Sequence, residues 1–103
     1  MKKTYPYEKF MAAVHGMAAS PKSVQQRIAD AYLSSIMHVK SNEVPEEMRG
    51  IFEQLHRRLT SVEPQGDEGR VQATVRKMST EDAILIINDI THIYYAIILS
   101  YYE

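Results

Sequence analysis

The chain has 103 residues, 45% of them hydrophobic, with 12 basic and 13 acidic groups for a formal charge of −1, and no cysteine or tryptophan. That length fits one domain with a modest core, and the missing cysteine excludes a disulfide framework, a zinc ribbon and a thiol nucleophile. So near-neutral a balance argues against a dedicated nucleic-acid binder.

Lys2 and Lys3 are followed by Thr4, Tyr5, Pro6, Tyr7 and Glu8, with no long apolar run, so no secretory signal is expected and the chain reads as cytoplasmic. A first helix is expected from about Pro6 to Ala18. Pro6 suits its first turn, and Tyr7, Phe10, Met11, Val14 and Met17 recur at helical spacing. Ser20 followed by Pro21 is a helix-start signal, and the pattern predicts a second helix running on to about Lys40. Its buried stripe would be Val24, Ile28, Ala31, Tyr32, Ile36 and Val39, widened by Ala29 and Leu33.

Ser41, Asn42 and Glu43 form a short break. Pro45 then opens a third helix, with Glu46 and Glu47 suited to the positive end of the helix dipole. Met48, Ile51, Phe52, Leu55, Leu59 and Val62 give it a narrow apolar seam. Gly50 either lets a neighbour approach closely or is simply tolerated there. Glu63 to Gly69, with Pro64, Gly66 and Gly69, is the one long loop and the segment expected to be most mobile. A short helix comes next, from about Arg70 to Lys77, anchored by Val71 and Val75, with Met78 just beyond.

The final segment, Ser79 to Glu103, carries the most information. Ser79 and Thr80 are cap residues, Glu81 and Asp82 suit the first turn, and neither glycine nor proline occurs from there to Glu103. At 100° per residue, one face holds Ala83, Ile86, Ile87, Ile90, Ile93, Tyr94, Ile97, Ile98 and Tyr101, a wide core stripe. The opposite face is only partly polar. Leu85, His92 and Leu99 recur every seven residues there, as do Asn88, Tyr95 and Tyr102, and the two series alternate by three and four. That is the spacing of a helix-pairing seam, in which polar residues such as Asn88 and His92 set register and partner number. Four companion helices in a chain this small have little surface left to cover a second face. Leu85, Asn88, His92, Tyr95, Leu99 and Tyr102 are therefore the candidate interface of a homodimer. A histidine in the seam would make association pH-dependent if it charged there; a hydrogen-bonded interface residue is the favoured reading. Ile84 to Tyr102 nearly has the length of a membrane span, but Asn88, Asp89 and His92 would lie at mid-bilayer and no basic cluster flanks it, so no membrane is expected.

Catalytic patterns are sparse. Glu53-Gln54-Leu55-His56 and Asp89-Ile90-Thr91-His92 have the carboxylate–histidine spacing of carboxylate-bridged metal bundles. Both pairs, however, point away from the expected core stripes, and further inward carboxylates are missing. Phosphate loops, dinucleotide-binding glycine motifs and nucleophile elbows are absent from the sequence. No catalytic residue, cofactor or metal ligand is assigned.

Charge is segregated along the chain. Residues 1–40 carry six basic and two acidic groups, and residues 41–69 carry three and seven. The basic first part leaves room for an alternative reading, a small nucleic-acid-binding regulator. The stretch from Ser20 to Val39 superficially resembles the first helix of a helix-turn-helix unit, but its apolar stripe runs on where the turn belongs. The cluster of Arg57, Arg58, Arg70, Arg76 and Lys77 is equally that of solvated helix faces. With no segment alternating at period two, the expected architecture is one all-α domain over 1–103, a compact bundle of four longer helices and one short one with a long carboxy-terminal helix. The function expected of it is non-enzymatic association, with itself or with a heterologous protein; nucleic acid is the less favoured partner.

Overall fold

Five α-helices account for most of the described residues, 4–103, in a computed structural model of the chain: α1 (Thr4–Ala19), α2 (Val24–Ser34), α3 (Arg49–Leu59), α4 (Arg70–Arg76) and α5 (Thr80–Tyr101). No strand occurs among the described residues, and the fold is all-α. The expectation based on Lys2 and Lys3 lies outside the described residues.

The α1 stripe is Phe10, Ala13 and Met17, with Tyr7 and Val14 partly buried beside it. Met11, expected in the core, is exposed. The inward direction is centred on Phe10 and Ala13, and Met11 lies a third of a turn away from it.

The second helix departs from expectation at both ends. It begins at Val24, not at Pro21, because Ser23 is the residue in cap geometry: its Oγ accepts from the Gln26 N–H at 3.1 Å. Ser20 instead holds the Lys22 N–H in a turn before the helix. At the other end the α-helix stops at Ser34, six residues short of Lys40. Ser34 Oγ donates to the Asp30 carbonyl at 2.7 Å, and Ser35 leaves helical geometry at φ −136°, ψ −62°. Serines that bond the backbone locally offer it an alternative to the helix. Short 3₁₀ turns then cover Ile36–His38 and Ser41–Glu43. The apolar positions of the expected stripe are still used, since Ile36 and Val39 are both in the core. Leu33, which was expected to widen it, is exposed.

Pro45 precedes a 3₁₀ turn over Glu46–Met48, and only then does α3 begin. Phe52, Leu55 and Leu59 are buried, one turn apart on a single face. Thr60 ends the helix by donating from Oγ1 to the His56 carbonyl at 2.9 Å. Val62 therefore lies outside α3, and its N–H donates to Thr74 Oγ1 at 3.1 Å. A Cβ placed on Gly50 would meet nothing within 4 Å, so this glycine permits no close approach.

The loop from 63 to 69 turns at Gly66, whose φ of +69° lies in the left-handed region that glycine favours. Ion pairs tie the loop to α4: Arg70 to Glu63 at 2.5 Å, and Arg76 to Glu68 at 2.5 Å. Glu68 also accepts from the Gln65 N–H at 3.1 Å. These contacts, with Arg76 first and then Gln65, hold the Glu68 carboxyl below the usual carboxylate range. The segment expected to be loosest is thus cross-braced. On α4 the buried Thr74 is satisfied twice, donating to the Arg70 carbonyl and accepting from Val62.

Helix α5 starts where Ser79 accepts from the Asp82 N–H at 3.1 Å, and Glu81 and Asp82 occupy its first turn. It packs against α1, α2 and α3, while α2 also packs on α1 and α4. Ala83, Ile86, Ile90, Ile93 and Ile97 face inward and are buried. The described residues measure 44 × 26 × 23 Å. Helix α5, roughly 33 Å long, spans about three-quarters of the 44 Å long dimension.

Candidate functional site: the outer face of the last helix

Nine large apolar side chains are exposed among the described residues, and five of them, Ile84, Leu85, Tyr95, Leu99 and Tyr102, lie on α5 or at its end. Their exposures are 49%, 53%, 62%, 51% and 65%. With Ile90 at 0°, the buried residues of α5 fall between about −60° and +20° at 100° per residue. Leu85, Asn88, His92, Tyr95, Leu99 and Tyr102 fall between about 120° and 220° on the same count, directly opposite. All six are exposed, and the structure places them on one continuous face.

Ile84 belongs to this face and was missed. Its position, one turn before Asn88, was the available signal. Tyr102 lies just past the helix as its cap residue, and its ring meets Tyr7 and Tyr101 edge-on. It therefore joins the outer face to an aromatic cluster on α1.

The face is walled over its carboxy-terminal half. The turn at Pro45 and Met48 stands beside His92, Tyr95, Ala96 and Leu99, forming an open groove of about 620 Å³. Glu46, Glu47 and Glu103 line the same groove and make it acidic. Beside the amino-terminal half lies a second concavity, lined by Arg57, Arg58, Lys77 and Asp82. Arg58 also reaches Asp89 at 3.2 Å, a half-exposed pair worth little on its own. Asp82, Asp89, Ala96 and Ser100 lie within about 40° of one another around the helix. Both concavities are therefore on the α3 flank of α5.

The residues weighed for metal binding are dispersed. Glu53 accepts from Ser41 at 2.8 Å, His56 Nδ1 is hydrogen-bonded to the Tyr32 phenol, Asp89 pairs with Arg58, and His92 is on the outer face. Among the described residues no group of three or more His, Cys, Asp or Glu side chains gathers as a ligand set. Three of the basic groups of the amino-terminal part are also engaged. Lys22 pairs with Asp30 at 3.0 Å, Arg27 donates to the Lys22 and Met17 carbonyls, and Lys9 sits over the Tyr5 ring.

By length and composition α5 is apolar enough to cross a membrane. Its inner face, however, supplies Ile86, Ile90 and Ile93 to the core shared with α1, α2 and α3. Comparison with known proteins finds no matching family model, no matching curated protein and no matching solved structure.

Proposed function

We propose that this protein acts by association and that its partner is a second copy of itself, docked through the outer face of α5. The observation that carries the reading is the stripe of Leu85, Tyr95, Leu99 and Tyr102. It is exposed on the same helix whose opposite face forms the core. Isolated exposed apolar residues are ordinary, but a contiguous run of them rimmed by polar groups marks an interaction surface. Tyrosines suit it, since each combines a large apolar ring with a polar tip.

Charge favours an antiparallel pair. A two-fold axis perpendicular to antiparallel helices keeps the α3 flank on the same side and reverses its direction. The acidic groove of Glu46, Glu47 and Glu103 then lies across from Arg58 and Lys77 of the second copy. Alternating the two seven-residue series sets Leu85 against Tyr102, Asn88 against Leu99 and His92 against Tyr95 of the second copy. A parallel pair would instead stack Asn88 on Asn88 and His92 on His92, and would set the acidic groove against the α1 flank.

The test is the particle mass by size-exclusion chromatography with light scattering. Twice the chain mass is expected for the native sequence, falling to one chain mass for Leu99→Glu, with helical content by circular dichroism unchanged. A native protein of single-chain mass across the concentration range would overturn the reading.

A further inference from the structure

The early end of α2 leaves a second feature, a pocket of about 350 Å³ between the irregular 35–41 segment and α3. Its floor is apolar, made by Ile36, Val39, Phe52 and the ring of Tyr32, all of them core residues. Its rim is polar and comes from consecutive turns of α3: Glu53, His56 and Arg57 lie at i, i+3 and i+4, hence on one face. The volume is at the small end of ligand sites, and an apolar floor with a few convergent polar groups is their usual composition.

The hydrogen bonds on the rim define what such a ligand must offer. Tyr32 is 2% exposed, and the partner of its phenol is His56 Nδ1. In the Nε2-protonated tautomer of His56 the phenol donates and Nδ1 accepts. That tautomer makes Nε2 a donor. The Arg57 guanidinium supplies further donors and makes no ion pair or side-chain hydrogen bond among the described residues. The acidic member of the rim is occupied, because Glu53 Oε2 accepts from Ser41 at 2.8 Å. Two donors without protein acceptors therefore stand beside an apolar floor, and Glu53 is held by Ser41 on the same rim.

We infer that this pocket binds a small organic carboxylate, with its apolar body on Ile36, Val39 and Phe52 and its carboxylate on Arg57 and His56. Arg57 matches a carboxylate through paired N–H donors, and such charge-assisted bonds are about twice as strong as neutral ones. The bend at Ser34 and Ser35 is what creates the site, since a continuous helix to Lys40 would not fold Val39 and Ser41 over α3.

The experiment is an amide-detected NMR titration of the whole chain with phenylacetate and with phenylacetamide, recording particle mass alongside. Saturable shifts confined to residues 36–41 and 52–57 are expected for phenylacetate, with binding of the amide about tenfold weaker. Arg57→Gln, an exposed position, should weaken phenylacetate about tenfold and leave the amide unchanged. Three results would overturn the inference: no saturable shift in those residues up to about 10 mM phenylacetate, equal affinity for acid and amide, or an Arg57→Gln effect that is the same for both.

Discussion

Tyr7, in the first turns of α1, hydrogen-bonds Tyr102 at the end of α5, and their rings meet edge-on with centroids 6.2 Å apart at 78°. Tyr101 and Tyr94 complete the cluster at 4.6 and 6.3 Å from the Tyr7 ring. This contact joins the beginning of the described chain to its end. It also sits at the border of the outer face of α5, so Tyr102 serves the fold and the proposed interface together.

The cluster predicts an alkaline transition. The bond to Tyr102, then desolvation, then the neighbouring phenols push the Tyr7 hydroxyl up from the ordinary value of 10.0 to about 12. A raised folded value means that the contribution to stability is complete below the unfolded value and is lost as pH rises through about 12. Absorbance titration of the phenolates should show a late step near pH 12 that belongs to Tyr7. Tyr7→Phe should remove that late step; its persistence in the variant would refute the assignment.

The braced loop has the opposite sign. Glu68 is held below its ordinary range by Arg76 first and by the Gln65 N–H second. Its contribution is present above the unfolded carboxylate value and is lost as pH falls through the depressed folded value. Carbon-detected NMR titration should place the Glu68 midpoint below the ordinary glutamate value. In Arg76→Gln the midpoint should move up towards the ordinary value, and a midpoint that stays in place would mean that Arg76 is not the cause.

The direction of the proposed dimer can be read with engineered cysteines, because the chain has none of its own. The antiparallel pairing expects that Asn88→Cys combined with Leu99→Cys forms an interchain disulfide on mild oxidation, while Asn88→Cys alone does not. Cross-linking by the single variant, seen on a non-reducing gel, would show a parallel pair.

Both faces of α5 can be separated energetically. Ile90 is fully buried, so Ile90→Ala should lower the unfolding free energy by about 2–5 kcal/mol in urea titration. Asn88→Ala should leave the stability of the isolated subunit within about 0.5 kcal/mol when measured at concentrations below association. A large loss from Asn88→Ala in the monomer would place it in the fold rather than on a docking face.

The caps give a simpler check. Ser23 and Ser79 each accept a backbone N–H at 3.1 Å. Ser23→Ala and Ser79→Ala should each cost about 1 kcal/mol, read from the shift in urea midpoint. Ser20→Ala should cost less, because Ser20 lies before the helix.

The helices, their order and the inner face of α5 were legible from the sequence because apolar spacing and cap chemistry are local properties. Phe10, Ile28, Leu55 and Ile90 recur with their neighbours at the helical period, and Ser79 sits where a cap must sit. The outer stripe of Leu85, Tyr95 and Leu99 was legible for the same reason, although the periodicity alone did not show that other helices leave it bare. What covers which face depends on contacts between residues far apart in the chain, and only the tertiary structure decided it. The end of α2 at Ser34 shows the same division. Ile36 and Val39 fit a helix to Lys40 in the sequence pattern, yet Ser34 bonds the Asp30 carbonyl, Ser35 leaves helical geometry and the chain bends. The bend keeps both residues buried by a different path and folds the 35–41 segment over α3. Periodicity records which side chains must be inside; it does not record the path of the backbone between them.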